Sequence, residues 1–123
     1  MQITNAEMEI MQIIWKSERR MTTKEIMELL PDKKTTTILT LAGRLLDKGA
    51  LQSVKLGRSH AHEYWAAISK EEYQKMQTQS FVRSIHNGSA KSLISALFKD
   101  ENLTKKDIEE LREFINNEAD DHD

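Results

Sequence analysis

Apolar residues recur at helical spacing along most of this chain and give way to a strand-like pattern in one short stretch. Met8, Met11, Ile14 and Trp15 fall on one face of a helix. Thr4 or Asn5 can cap it, and Thr4-Asn5-Ala6-Glu7 has capping-box spacing. The pattern fades by Ser17, and Glu18-Arg19-Arg20 is a polar break. A shorter helix is predicted within Met21 to Leu30, capped by Thr22 or Thr23, with Ile26, Leu29 and Leu30 as its stripe. Pro31 disfavours helical geometry at Leu30 and marks the end. The third helix is predicted over 35–48, with Ile38, Leu41, Leu45 and Leu46 inward and Gly49 as its C-terminal cap. Gly43 inside it costs about 1 kcal/mol against alanine, which predicts a close approach by another backbone.

The period then changes. Leu51, Val54 and Leu56 lead to Gly57-Arg58-Ser59, and His60 to Ala67 follow with strand-type aromatics, so the two runs predict a β-hairpin. From Ser69 the helical period returns. Ser69 to Glu72 has cap spacing, Tyr73, Met76, Phe81, Val82 and Ile85 mark a long helix, and His86-Asn87-Gly88 stops it. Ser92 to Phe98 is a strongly apolar helix. Thr104 caps a last one, with Asp107 three residues on and Ile108, Leu111, Phe114 and Ile115 on its apolar face; from Glu118 an acidic, frayed tail is expected. The expected fold is mainly α with a small β-hairpin: a winged helix-turn-helix domain over 1–68 and a C-terminal helical domain over 69–123.

Composition narrows the class. The 123 residues contain 38% hydrophobic and 31% charged side chains, which describes a folded chain and not a disordered one. The absence of cysteine excludes disulfides and thiolate metal sites. No apolar run reaches membrane-spanning length, and MQITNAEMEI lacks a signal-peptide layout, so a cytoplasmic location without membrane insertion is expected. The net charge is −2. It is uneven: residues 1–68 hold ten basic against eight acidic side chains, and residues 69–123 hold eight against twelve. On charge alone two readings stand equally: an anionic partner that meets the first part, or ordinary solvated faces.

That asymmetry gives the threonine-rich turn DKKTTT a use. The second helix of a helix-turn-helix presents its first residues to base edges in the major groove. There Thr36, Thr37 and Thr40 share an outward face with Arg44, while Lys33 and Lys34 can meet phosphates. Thr35 can serve as the N-cap. The plainer reading makes the threonines cap and turn residues only; the hairpin in the position of a wing favours DNA. Arg58 at the hairpin tip can touch phosphate, or be an incidental charge on an exposed turn. His60, His62 and Glu63 lack a fourth metal ligand, so a solvated wing is expected there, and no metal or other cofactor is predicted. His86 and His122 are isolated. Glu71-Glu72 and Glu109-Glu110 are explained by solvation and helix pairing. Trp15 and Trp65 are expected as core or shelf residues, and no catalytic loop or nucleophile motif is present.

The C-terminal part is unusually apolar for about fifty residues. Phe81, Val82, Ile85, Leu93, Ile94, Leu97, Phe98, Leu111, Phe114 and Ile115 either pack back on the winged helix or form a homodimer face. A dimer would set two recognition helices about one DNA turn apart.

On these residues the chain resembles the BlaI/MecI family of penicillinase and methicillin-resistance repressors over nearly its whole length. ITNAEMEIMQIIW is similar to the family's opening helix, KTTTILTLAGRLLDKGAL to its recognition helix, and SLISALF with LTKKDIEELREFIN to its dimerisation end. The resemblance implies double-stranded operator DNA contacted by Thr36, Thr37, Thr40 and Arg44, with Arg58 on the wing. It also implies a homodimer on a palindrome and control of β-lactam resistance genes. In the family a membrane sensor-protease pathway relieves repression by cleavage or release. The best-known members are cut at an Asn-Phe bond; the matching positions here are Ala96 and Leu97, a departure from that bond. Leu39 stands where those members carry arginine, so a different operator is implied. The copper-responsive branch carries a cysteine motif that this chain lacks. The reading outside the family is a winged helix that binds protein and not DNA.

Overall fold

The computed structural model describes residues 1–58, 61–99 and 103–121, with side chains through 117. Its elements run α1 (Asn5–Ser17), β1 (Met21–Thr22), α2 (Thr23–Leu29), α3 (Thr35–Lys48), β2 (Leu51–Lys55), β3 (His62–Ala66), α4 (Lys70–Ile85), α5 (Ala90–Phe98) and α6 (Lys105–Asp121). Two compact units result, Met1–Gln74 and Lys75–Asp123. The first turn of α4 thus belongs to the first unit, where Tyr73 is buried and its hydroxyl accepts the Ile3 N–H at 3.3 Å.

Local chemistry starts and stops the helices. Thr4 caps α1 in a full box with Glu7, and Glu18 ends it in the left-handed region at φ 56°. Thr22 caps α2 in a second box with Glu25. An N-cap needs extended dihedrals, and Thr22 adopts them (φ −78°, ψ 160°). Thr22 is thus one of the two caps the spacing allows, and Met21 and Thr22 also form a short strand, which the helical pattern does not indicate. They pair antiparallel with β3, Met21 opposite Tyr64 and Thr22 opposite Glu63. The sheet has three strands in the order β1-β3-β2, so the expected hairpin gains an edge strand. Its β2–β3 register sets Leu51 against Ala66 and Ser53 against Tyr64.

The core of the first unit joins Ile10, Met11 and Ile14 of α1 with Ile26 of α2, Ile38, Leu41, Ala42 and Leu45 of α3, and Leu51 and Tyr64 of the sheet. Met8 and Trp15 pack at its margin and not in it. Leu29 is 58% exposed, so the stripe of α2 rests chiefly on Ile26. Gly49 ends α3 at φ 80°, a conformation that glycine adopts without a Cβ penalty.

In the second unit, Asn87 and Gly88 both take positive φ and terminate α4. Ser89 caps α5 by accepting the Ser92 N–H at 3.1 Å, which starts that helix two residues before its apolar run. Thr104 and Asp107 exchange backbone-to-side-chain bonds of 3.1 Å at the head of α6. α6 continues to Asp121, past the point where fraying was expected, because no glycine or proline interrupts it.

Candidate nucleic-acid interface

α2 and α3 are joined by a short turn in which the Lys33 N–H donates to the Leu30 carbonyl at 3.1 Å. α3 buries Ile38, Leu41, Ala42 and Leu45 and leaves Thr36, Thr37, Leu39, Thr40 and Arg44 exposed. At 3.6 residues per turn those five residues and Gly43 span an arc of about 160°. The Thr40 hydroxyl donates to the Thr36 carbonyl at 2.9 Å. Arg44 has no ion-pair partner among the described residues.

The N-terminus of α3 is open. Its N-cap is Lys34, which supplies no side-chain cap, and no acidic residue stands in the first turn. Thr35 is therefore not the cap. It is the first helical residue, and its hydroxyl lies 3.7 Å from the Met27 sulfur. Unpaired N–H groups and the helix dipole make such an end favourable to an anion. Lys34 is exposed beside it. Lys33 is half-buried, and its ammonium is 2.8 Å from Glu9, which holds its pKa above the usual lysine value.

Arg58 is exposed at the β2–β3 turn, next to Gly57 at φ 56°. The rest of that tip, Ser59 and His60, lies outside the described residues, as does His122. His62 and Glu63 are half-buried on β3. Among the described residues no cluster suited to a metal ion is present.

The tryptophans are occupied structurally. Trp15 Nε1 donates to the Ile68 carbonyl at 3.0 Å, and its ring centroid is 6.0 Å from that of Tyr73. Trp65 Nε1 donates to Gln52 Oε1 at 2.8 Å, and the Arg20 guanidinium stacks 4.0 Å over its ring. Glu109 and Glu110 face Arg112 and Lys106, as surface helix pairs do.

Two features were not legible as site components. Glu7 is fully buried, and Lys48, the last residue of α3, reaches it at 2.5 Å while also donating to the Gln2 carbonyl at 2.7 Å. Burial pushes the Glu7 carboxyl up, but bonds from Lys48 and Thr4 outweigh it and hold the group below its ordinary value. This pair ties the far end of α3 to the start of α1. The partners are 41 positions apart, and only the box spacing of Glu7 gave any sign of it. The second feature is Gly43: a Cβ built there meets nothing within 4 Å, so no backbone of the unit approaches it.

In the second unit none of the described side chains, which run through 117, is buried. Val82, Leu93, Ile94 and Leu111 are half-buried, whereas Phe81, Ile85, Leu97, Phe98, Phe114 and Ile115 are exposed, Ile85 by 62% and Phe114 by 61%. Ala96 and Leu97 lie exposed in the last turn of α5.

The profile of the family described as Penicillinase repressor matches residues 3–117. The chain belongs to the penicillinase repressor family. Its relatives include the Penicillinase repressor of Bacillus licheniformis, 33% identical over 93% of this chain and 89% of that one. The Penicillinase repressor of Staphylococcus aureus is 32% identical over 94% and 91%. The Methicillin resistance regulatory protein MecI of Staphylococcus aureus strain N315 is 28% identical over 94% of each. Family membership places the chain among transcriptional repressors and not among enzymes. The heme sensor protein PefR from Streptococcus agalactiae shares the fold, with a TM-score of 0.50, 15% identity, and coverage of 98% of this chain and 75% of that one. No described helix is long and apolar enough to cross a membrane.

Proposed function

We propose that this penicillinase-repressor family member is a cytoplasmic homodimer that lays α3 in the major groove of a palindromic operator. The observation that carries the reading is the division of α3 into a buried arc and an exposed arc of threonines ending in Arg44, on the second helix of a helix-turn-helix. Thr36, Thr37, Thr40 and Arg44 face the bases. Lys34, the open helix end and Arg58 meet phosphates, and Lys33 joins them where a phosphate displaces Glu9. The uncovered apolar residues of α4, α5 and α6, among them Phe81, Ile85, Phe98 and Phe114, form the contact between two copies. β-Lactam resistance genes are the regulon that the relatives' names suggest. Relief comes by proteolysis or release through a sensor pathway, with Ala96-Leu97 on exposed α5 as the candidate bond.

The test is an anisotropy titration against the DNA upstream of the protein's own gene, at two salt concentrations, with Thr40→Ala and Arg44→Ala beside the parent. Saturable binding by two protomers, falling steeply with salt and weakened in both variants, is expected. Loss of a base contact by Arg44 is worth about 1–3 kcal/mol. Absence of any sequence preference at low salt overturns the proposal and leaves a winged helix that binds protein. Sedimentation then reads the assembly: a monomer in solution removes the dimer from the reading.

A further inference from the structure

Three residues on the exposed arc of α3 have properties that the fold does not explain. Leu39 is 44% exposed, although the other leucines and the isoleucine of α3 turn inward. Gly43, one turn beyond it, is neither in the left-handed region nor close to any atom that a Cβ would strike. A glycine there weakens the helix relative to alanine with no internal return. Thr40 spends its only hydroxyl hydrogen on the Thr36 carbonyl, so toward an outside surface it offers a methyl group and an acceptor. It has no proton to give to the acceptor atoms of a base edge. From its Leu39 margin toward its middle the arc thus presents an apolar knob, a gap and a methyl group.

We infer that Leu39 and the Thr40 methyl recognise the C5 methyl of a thymine in each operator half-site, and that Gly43 supplies the clearance for that close approach. This deepens the operator reading and rests on it. In the major groove only thymine carries such a methyl, so an apolar contact there distinguishes T·A from A·T and from both G·C orientations. Arg44, at the polar margin of the same arc, remains free for hydrogen-bonded readout.

The experiment uses the full chain and a duplex recovered by selection from a randomised pool. The duplex is resynthesised with deoxyuridine in place of thymidine, one symmetric pair of positions at a time. The exchange removes a methyl group and keeps every hydrogen-bonding atom. One methyl buried is worth about fourfold in affinity, so the pair at the contacted position is expected to weaken binding about sixteenfold. Leu39→Ala should fold normally and show a clearly smaller deoxyuridine penalty than the parent, since it has lost one of the two partners of the methyl. Gly43→Leu should raise thermal stability and weaken the thymidine duplex. Tight binding that tolerates deoxyuridine everywhere overturns the inference and leaves the operator reading standing. A Leu39→Ala variant that keeps the full deoxyuridine penalty removes Leu39 from the contact. Failure of selection to recover any preferred site overturns both readings.

Discussion

At the start of α2, Thr22 accepts the Glu25 N–H at 3.2 Å, and the Glu25 carboxylate takes the Thr22 N–H at 3.1 Å. At the start of α3 no side chain caps the helix, and a lysine stands in the N-cap position. The two helices belong to one motif and meet opposite needs. The head of α2 is finished by its own residues, with a carboxylate over its positive end. The head of α3 is left unfinished, at a cost of about 1 kcal/mol against a good cap. An end kept open beside the exposed Lys34 suits an anion supplied from outside. The opposite end of α3 is fixed instead, by Lys48 on buried Glu7.

The largest expected effect comes from cutting that anchor. Lys48→Ala leaves the Glu7 carboxylate buried with its main partner gone. Loss of one member of a fully buried pair costs about 3–5 kcal/mol, and Lys48 keeps 32% of its side chain exposed, so a loss of about 2 kcal/mol is expected in urea unfolding. A change below about 0.5 kcal/mol would mean that the carboxylate is satisfied without Lys48.

Closing the open end comes next. Lys34→Asp gives α3 the cap and the negative charge that α2 already has. Folding stability should rise by about 0.5–1 kcal/mol. Operator affinity should fall at least about tenfold, and the slope of log affinity against log salt should become shallower by about one contact. Stability and affinity moving in the same direction would show that the open end has no part in binding.

How much of this was legible depends on the range of each interaction. Caps are local, so Thr4, Ser69 and Thr104 were readable from spacing, and Gly49 from its place after the last inward leucine. The open end was misread at Thr35, because a threonine ahead of a helical run signals a cap whether or not the chain is extended there. Pairing of Met21 with Tyr64 spans 43 positions and has no local signature, so the spacing shows Thr22 as a cap but not β1 as a strand. Leu29 illustrates the limit of periodicity: it holds a helical position on a stripe whose other members, Ile26 and Leu30, reach the core while it stays exposed. For the interface, the pattern placed Thr36, Thr37, Thr40 and Arg44 on one arc. It gave no sign that Glu9 takes the Lys33 ammonium or that Thr40 turns its proton inward, since both depend on coordinates. The proposed symmetric assembly would depend on a second chain, and one sequence holds only the apolar faces that invite it.

Removing the cap of the closed helix is the milder test of the opening comparison. Thr22→Ala should cost about 1 kcal/mol and leave operator affinity unchanged once the protein is folded. A matching loss of affinity would assign the head of α2 to the DNA surface as well.

The smallest effect is a pH dependence confined to α2. The Arg19 guanidinium lies 2.5 Å from Glu25, and this bond, with the Thr22 N–H, holds the Glu25 carboxyl at about 2 against an ordinary 4.5. A carboxyl lowered in the folded state binds protons more readily when unfolded. Its contribution is therefore complete above about pH 4.5 and is lost as the pH falls toward 2. Glu7 is lowered too, so the parent protein loses stability in acid from two groups. Glu25→Gln keeps the box, because a glutamine at this position still accepts the N-cap N–H. It removes the titration together with the charge that pairs with Arg19. Urea midpoints measured from pH 6 to pH 2.5 should thus fall less steeply for Glu25→Gln than for the parent, with the curves separating below pH 4.5. Because Arg19 is 58% exposed, raising the salt should shrink the separation. Parallel curves throughout would mean that Glu25 titrates alike in both states, and the head of α2 would then be closed by Thr22 alone.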